Sequence, residues 1–218
     1  MITTELKKLD DILIDGISDG TITDIFGFRG TGKTQMALQI SLNLLKDEKT
    51  VLFVDTTGEF RPERLLEILK NRNLDNSLLN RLKIARVTNT QEQIDLIQKI
   101  KNTNDVAMLI IDNVADLFSF EYSKKEQFNL QYQKFMNYMH DLAQLAINKK
   151  IPIVITNQLM NANDTEYEKM NYSISNYTHQ KIKLEKQRDH YQATILSPFS
   201  QKIRFFYKIK KMGLVETS

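Results

Sequence analysis

Cysteine and tryptophan are absent from this chain of 218 residues, which also has only three histidines and three prolines. Without cysteine the chain has no disulfide framework, no thiolate metal site and no cysteine nucleophile. The histidines, His140, His179 and His190, are scattered and do not build a zinc site by themselves. The lack of cysteine fits a reducing, cytoplasmic setting.

Long apolar runs are missing as well. The longest, residues 106–111, is far too short to span a bilayer, and segment 1–8 has no apolar signal core. We therefore expect a cytoplasmic protein with no membrane association. The hydrophobic share of 41% and the charged share of 26% are those of an ordinary globular protein, and the length predicts one domain with a full core.

Segments with strand and helix periodicity alternate from residue 21 to residue 156. Such alternation predicts an α/β fold with an open, mostly parallel central sheet that helices cover on both faces. The predicted strands are residues 21–26, 51–55, 82–87, 107–112 and 151–156, and the predicted helices are residues 33–46, 62–70, 90–101 and 125–148. In the last helix we interpret the apolar residues at helical spacing as core: Phe128, Tyr132, Phe135, Met139, Leu142 and Ala146.

The pattern changes after residue 156. Segment 157–178 is polar and long for a connection without regular structure, which indicates a functional or a disordered segment. Residues 179–186, 190–196 and 202–209 then predict short antiparallel strands, with turns at Arg188-Asp189 and at Ser197-Pro198.

A glycine-rich motif lies between the first predicted strand and the helix that follows it. It has the G-x-x-x-x-G-K-[ST] spacing of a phosphate-binding P-loop: Gly27-Phe28-Arg29-Gly30-Thr31-Gly32-Lys33-Thr34. Glycines let the loop turn tightly, so that its backbone N–H groups and the helix N-terminus converge on phosphates. Lys33 is expected to reach the β- and γ-phosphates, and the Thr34 hydroxyl to bind Mg²⁺. The sequence therefore predicts a nucleoside triphosphate and Mg²⁺ as ligands.

Polar residues follow two further predicted strands. Asp112 comes after Met108-Leu109-Ile110-Ile111, where a P-loop NTPase needs a carboxylate to hold Mg²⁺ through its water shell. Gln158 comes after the strand at 151–156, and we interpret it either as a sensor of the γ-phosphate or as a capping or loop residue.

These motifs, in their order, resemble the ATPase core of the RecA/RadA recombinase family, above all its archaeal and eukaryotic branch. The segments that carry the resemblance are Thr31-Gly32-Lys33-Thr34-Gln35, Val54-Asp55-Thr56, Phe60-Arg61-Pro62-Glu63-Arg64-Leu65, Ile110-Ile111-Asp112 and Ile155-Thr156-Asn157-Gln158. The resemblance implies a RecA-type P-loop NTPase fold with ATP and Mg²⁺ as ligands. It makes the P-loop residues, Gln35 and Arg64 the ATP-binding residues, with Arg64 stacked on the adenine. It also implies that DNA is held by the loops at residues 118–127 and 159–178.

Departures from the family pattern favour one branch of it. The resemblance covers residues 1–218 as a single ATPase core domain without an N-terminal DNA-binding domain, as in the short archaeal paralogues of the RadB type. The glutamate that positions the attacking water in active relatives is replaced by Thr57, and Glu59 is a displaced carboxylate. Leu196 stands where full recombinases have an acid before Ser-Pro. We therefore expect ATP binding with weak hydrolysis.

The function implied is an ATP-binding recombinase paralogue that binds single-stranded DNA and assists homologous recombination and DNA repair. Its expected protein partner is a full-length RadA-type recombinase, and a homo-oligomer is left open. The expected catalytic residues are Lys33, Asp112, Glu59 and Gln158. One alternative is an active DNA-dependent ATPase that exchanges strands with Glu59 as its base. Another is a KaiC-like signalling ATPase, which the segment 60–65 disfavours.

Basic residues are concentrated near the C-terminus. Nine Lys and Arg lie between Lys181 and Lys211, against Glu185 and Asp189. This surface is either a solvated strand face or a contact surface for phosphates. The aromatic residues Phe205, Phe206 and Tyr207 lie among these cations and either stack on bases or belong to the core. The expected DNA-binding residues are Lys124, Lys125, Lys181 and Lys183.

Overall fold

The computed structural model describes residues 1–14, 16–162, 165–198 and 202–217, with Lys125 described through its backbone only. The helices are α1 (Lys7–Ile12), α2 (Lys33–Lys46), α3 (Pro62–Asn71), α4 (Thr90–Lys101), α5 (Asp116–Glu121), α6 (Phe128–Lys149) and α7 (Asn171–Ser175). The strands are β1 (Ile22–Gly27), β2 (Val51–Asp55), β3 (Leu82–Arg86), β4 (Met108–Asp112), β5 (Ile153–Ala162), β6 (Thr165–Glu168), β7 (Gln180–Lys186), β8 (Tyr191–Ser197), β9 (Ile203–Lys210) and β10 (Gly213–Thr217). Short 3-10 helices lie at Asn76–Arg81 and Lys125–Gln127.

One sheet connects these strands in the order β10-β9-β8-β7-β1-β5-β4-β2-β3, and β6 pairs with β5 outside this path. The pairs β7–β1, β1–β5, β5–β4, β4–β2 and β2–β3 are parallel. The pairs from β7 through β8 and β9 to β10 are antiparallel. The α/β class, the mostly parallel centre and the antiparallel C-terminal strands are therefore confirmed.

The sheet buries both of its faces because successive side chains of a strand point to opposite sides. In β4, Ile110 belongs to the core under α1, α2 and α3, while Leu109 and Ile111 belong to the core under α4, α5 and α6. All residues of β1, β2 and β4 are buried. Continuous apolar runs of this kind are typical of parallel strands with helices on both sides.

Segment 157–178 has more regular structure than its polar composition predicts. β5 continues to Ala162 and forms an antiparallel hairpin with β6, and α7 follows. The interpretation of this segment as disordered is wrong for its described residues, because β6 pairs with β5 and the buried Glu168 pairs with Lys181 and with Asn157, whereas a functional role stays a prediction. The hairpin tip, Asn163 and Asp164, lies outside the described residues.

Two smaller predictions also need correction. Phe128 and Tyr132 were expected in the core, but they are 52% and 41% exposed, whereas Phe135, Met139, Leu142 and Ala146 are buried as predicted. The segment at 118–127, expected as a loop, contains the end of α5 and a 3-10 turn. Among the described residues, no helix has the length and apolarity that crossing a membrane requires.

Candidate functional site

The carboxyl ends of four parallel strands meet at one edge of the sheet. Gly27 at the end of β1 pairs in register with Gln158 of β5, and Asp55 at the end of β2 pairs with Asp112 of β4. A cleft of about 610 Å³ opens at this edge. It is lined by Arg29, Gly30, Gly32, Lys33, Thr34, Gln35, Leu38, Thr57, Glu59, Arg61, Arg64, Asp112, Asn113, Asp116, Gln158 and Ile209.

The glycine-rich loop forms one wall of the cleft, between β1 and α2. Gly30 and Gly32 have φ angles of +81° and +93°, a backbone region that other residues adopt only with strain. A Cβ on Gly27 would lie 2.2 Å from the carbonyl oxygen of Leu184, whereas a Cβ on Gly30 would meet nothing within 4 Å. The loop is therefore packed tightly at its base and open at its tip, as a phosphate cradle requires.

The Lys33 ammonium lies against the loop itself. Its Nζ donates hydrogen bonds to the carbonyl oxygens of Gly27 and Phe28, both at 3.0 Å. Burial lowers the pKa of Lys33, and the nearby carboxylates of Asp112, Asp116 and Glu59 partly oppose that change. The ammonium is thus partly desolvated and held by neutral carbonyls, an arrangement in which an incoming anion is an attractive partner.

The predicted metal ligands Thr34 and Asp112 are in direct contact. The Thr34 hydroxyl donates to Asp112 Oδ2 at 2.5 Å, and the Thr156 hydroxyl donates to Asp112 Oδ1. Burial raises the pKa of Asp112, although these two hydrogen bonds oppose the effect. Hydroxyl and carboxylate oxygens are suitable Mg²⁺ ligands. The described residues contain no group of three or more metal-ligating side chains, so Mg²⁺ here would need phosphate and water oxygens to complete its shell.

The turn after β2 brings Thr57 and Glu59 to the cleft. Asp55 is buried, and its Oδ1 accepts hydrogen bonds from the Thr57 amide at 2.9 Å, the Thr57 hydroxyl at 3.0 Å and the Gly58 amide at 2.7 Å. Arg86 pairs with the other oxygen of Asp55 at 3.0 Å. Glu59 is exposed and forms an ion pair with Arg29 of the P-loop. The displaced carboxylate therefore has a cationic partner already.

Arg64 lies at the other end of the cleft, on α3. Its guanidinium donates to Gln35 Oε1, pairs with Glu67, and donates to the carbonyl oxygen of Lys210 at 2.6 Å. The structure therefore brings seven of the predicted site residues together around one cleft: Lys33, Thr34, Gln35, Glu59, Arg64, Asp112 and Gln158. What each does there stays a prediction.

Several cleft residues escaped the sequence analysis. Asp116 lines the cleft and pairs with Lys169 at 2.9 Å, and Ile209 reaches it from β9. Thr156, which belongs to one of the segments that carry the family resemblance, does not line the cleft but contacts Asp112 from β5. Asp116 offered a weak signal, because it comes shortly after the strand-end carboxylate Asp112. Ile209 offered none, since its position follows from long-range strand order alone.

Of the four predicted DNA-binding lysines, Lys124, Lys181 and Lys183 do not line the cleft. Lys124 is exposed, and the side chain of Lys125 lies outside the described structure. Lys183 is half-buried and pairs with Glu166 at 2.9 Å and Glu185 at 2.8 Å. Lys181 is buried and pairs with Asp24 at 2.8 Å and with Glu168.

Burial and pairing explain the state of Lys181. Burial alone would lower its pKa, but the adjacent charges of Asp24 and Glu168 outweigh it, so the pKa of Lys181 is raised. Its ammonium also lies 4.7 Å from the centre of the Phe26 ring. Lys181 thus neutralises buried carboxylates, and its ammonium is not presented to an external phosphate in this conformation.

Comparison with known proteins gives one family. The model of the Rad51 family matches residues 1–178. The DNA repair and recombination protein RadA of Metallosphaera sedula is 30% identical over 188 residues, which is 81% of this chain and 58% of the relative. The protein of the same name from Aeropyrum pernix is 33% identical over 177 residues, 76% of this chain and 55% of the relative. The chain thus spans little more than half the length of these relatives.

Proposed function

We propose that this chain, which belongs to the Rad51 family of RecA-type proteins, binds ATP with Mg²⁺ in the cleft at the carboxyl edge of its sheet. The observation that carries the proposal is the contact of the Thr34 hydroxyl with the Asp112 carboxylate at 2.5 Å, directly beside the glycine-rich loop. In P-loop NTPases a hydroxyl and a strand-end carboxylate hold Mg²⁺ next to the bound phosphates.

ATP would lie along the cleft from the P-loop to Arg64. The loop amides and Lys33 would bind the β- and γ-phosphates, with Thr34 and Asp112 on the Mg²⁺ side. Gln35 and Arg64 would be at the base end, where the planar guanidinium offers a surface for stacking. Lys33 would exchange two neutral carbonyl partners for charged phosphate oxygens, which form stronger hydrogen bonds.

We further propose that this ATPase is weak. Efficient hydrolysis needs a group that orients the attacking water, and a carboxylate does so best when it is free and basic. Thr57 supplies only a hydroxyl, which is already bonded to Asp55. Glu59 has a carboxylate, but the Arg29 ion pair holds it at the exposed rim. Gln158 in the neighbouring strand β5 would contact the γ-phosphate rather than act as a base.

Single-stranded DNA is the proposed macromolecular ligand. The outward face of β9 carries Arg204, Phe206, Lys208 and Lys210, which alternate with buried residues and are all exposed. Cations beside an exposed aromatic ring suit phosphates and stacked bases. Lys124, in the segment after β4, is a second exposed cation that we assign to DNA contact. Lys181 and Lys183 are left out because their charges are already paired with carboxylates.

The cellular role that we propose is assistance of homologous recombination and DNA repair in the cytoplasm, as an ATP-binding paralogue that acts with a full-length RadA-type recombinase. Membership in the Rad51 family and the similarity to two DNA repair and recombination proteins named RadA support the process. Thr57, which stands where the family pattern has a glutamate, and the Glu59–Arg29 ion pair support the assisting role over independent strand exchange.

The experiment measures phosphate release from ATP with and without single-stranded DNA, together with electron microscopy of the same samples. We expect ATP binding, slow release that DNA barely stimulates, and no long filaments. The second candidate is an active strand-exchange ATPase, which the position of Glu59 at the cleft keeps open. Brisk release that depends on DNA, together with filaments, would replace the first proposal by the second.

A further inference from the structure

Strand β9 reaches from the C-terminal part of the sheet to the back of the glycine-rich loop. The Tyr207 hydroxyl donates a hydrogen bond to the carbonyl oxygen of Thr31 at 2.7 Å. Two residues further along, Ile209 packs on Gly32, where a Cβ would lie only 2.9 Å from Ile209 Cδ1. Tyr207 and Thr31 are both essentially inaccessible, at 0% and 1% exposure. The loop therefore rests on a side chain from a distant part of the chain.

The hydrogen bond fixes the direction of one peptide group. The carbonyl and the N–H of a trans peptide point in opposite directions. Because the Thr31 carbonyl points to Tyr207 in the core, the Gly32 N–H of the same peptide points away from the core, on the side where Gly32 lines the cleft. Burial raises the pKa of the Tyr207 hydroxyl, which therefore stays protonated and donates.

Contacts to two helices hold β9 and β10 in place. Arg64 Nη2 donates to the Lys210 carbonyl at 2.6 Å, and Arg72 Nε donates to the Met212 carbonyl at 2.6 Å. Gln39 of α2 accepts from the Leu214 amide at 2.8 Å. Strand β9, which carries Tyr207, is thus anchored to α3. Its neighbour β10 is anchored to α2, the helix that follows the glycine-rich loop.

We propose that Tyr207 is a positioning residue for phosphate binding, which holds the Thr31–Gly32 peptide so that the Gly32 N–H faces the phosphate chain of the nucleotide. Ile209 supports this role by packing behind Gly32. The inference rests on the proposed binding of ATP in this cleft. It assigns a role in nucleotide binding to β9. This antiparallel strand belongs neither to the P-loop nor to the parallel strands that meet at the cleft.

The test compares Tyr207→Phe with wild type in the full chain, with Tyr191→Phe as the matched control. The Tyr191 ring stacks on Tyr207 at 5.4 Å, so both changes remove one hydroxyl from the same aromatic pair. We expect Tyr207→Phe to weaken binding of ATP and of inorganic triphosphate by about tenfold each, since a buried carbonyl loses its partner. Amide hydrogen exchange at residues 30–34 of the ligand-free protein rises by a similar factor. Tyr191→Phe leaves affinities and exchange unchanged.

A second, milder variant is Ile209→Val, which removes the Cδ1 methyl behind Gly32. We expect it to lower the affinities for ATP and for inorganic triphosphate less than Tyr207→Phe does. Unchanged binding and exchange in Tyr207→Phe would overturn the inference. A lower melting temperature with exchange raised evenly over the whole chain would also overturn it, because that result describes a structural role only. If wild type binds neither ligand, the proposed ATP site fails. An increase in amide hydrogen exchange that is confined to residues 30–34 of Tyr207→Phe would still show that Tyr207 positions the loop.

Discussion

Replacing Thr57 by glutamate tests why hydrolysis is expected to be weak. A positioned general base contributes about 10²–10⁴-fold to rate. The Thr57 side chain lines the cleft, so a carboxylate there would be near the γ-phosphate end. The new side chain would lose the 3.0 Å hydrogen bond to Asp55 and would place a second negative charge beside that carboxylate, which is paired with Arg86. We therefore expect a gain at or below the lower limit of that range, about tenfold to a hundredfold.

The assay is steady-state phosphate release at saturating ATP and Mg²⁺. Thr57→Gln is the matched control, because glutamine has nearly the same size as glutamate but no carboxylate. Glu59→Gln should leave the low wild-type rate nearly unchanged, since Glu59 is paired with Arg29. Equal rates for Thr57→Glu and Thr57→Gln would refute the reasoning from the missing carboxylate. Loss of a brisk rate in Glu59→Gln would instead make Glu59 the base.

Three further predictions concern other parts of the molecule. Arg64→Ala should weaken ATP more than inorganic triphosphate in calorimetric titrations, and equal losses would argue against contact with the base. Lys124→Glu should lower affinity for single-stranded DNA and flatten its salt dependence in fluorescence anisotropy; an unchanged slope would remove Lys124 from the interface. Burial raises the pKa of Asp24 against the opposing effect of Lys181, so as the pH falls the folded protein takes up a proton at Asp24 before the unfolded chain does. The contribution of Asp24 to the free energy of unfolding should therefore fall as pH rises above about 4, and Asp24→Asn should remove that contribution in urea titrations; the same pH dependence in both proteins would contradict this.

Local signals explain why much of the fold could be predicted. α2 and α4 begin and end where the periodicity placed them. The Asn89 side chain caps α4 by accepting from the Glu92 amide, a start signal that is readable in sequence. The ends of β1, β2 and β4 at the cleft were also predictable to within one residue, because apolar runs that stop at a polar residue mark the edge of a parallel sheet, whereas β5 continues beyond its predicted end at residue 156.

Long-range partners explain what could not be predicted. Asp24 lies in the middle of a fully buried strand, so a cationic partner was required, but nothing local indicates that this partner is Lys181. A count of basic residues therefore overestimated the free charge of the C-terminal strands. The Tyr207–Thr31 contact joins residues 176 positions apart and follows only from the strand order. The alternation of side chains along a strand does not show which of the three aromatic residues of β9 faces solvent. In the structure it is Phe206.

Calorimetric titration of Mg²⁺-ATP into wild type and Lys33→Ala tests the central claim most directly. The account predicts a single saturable site in wild type that weakens about tenfold to a hundredfold in Lys33→Ala, because a charged hydrogen-bond donor to the phosphates is lost. Thermal unfolding of both proteins shows whether the variant is folded. Equal affinity in two folded proteins, or no binding by wild type, would contradict the assignment of this cleft to ATP.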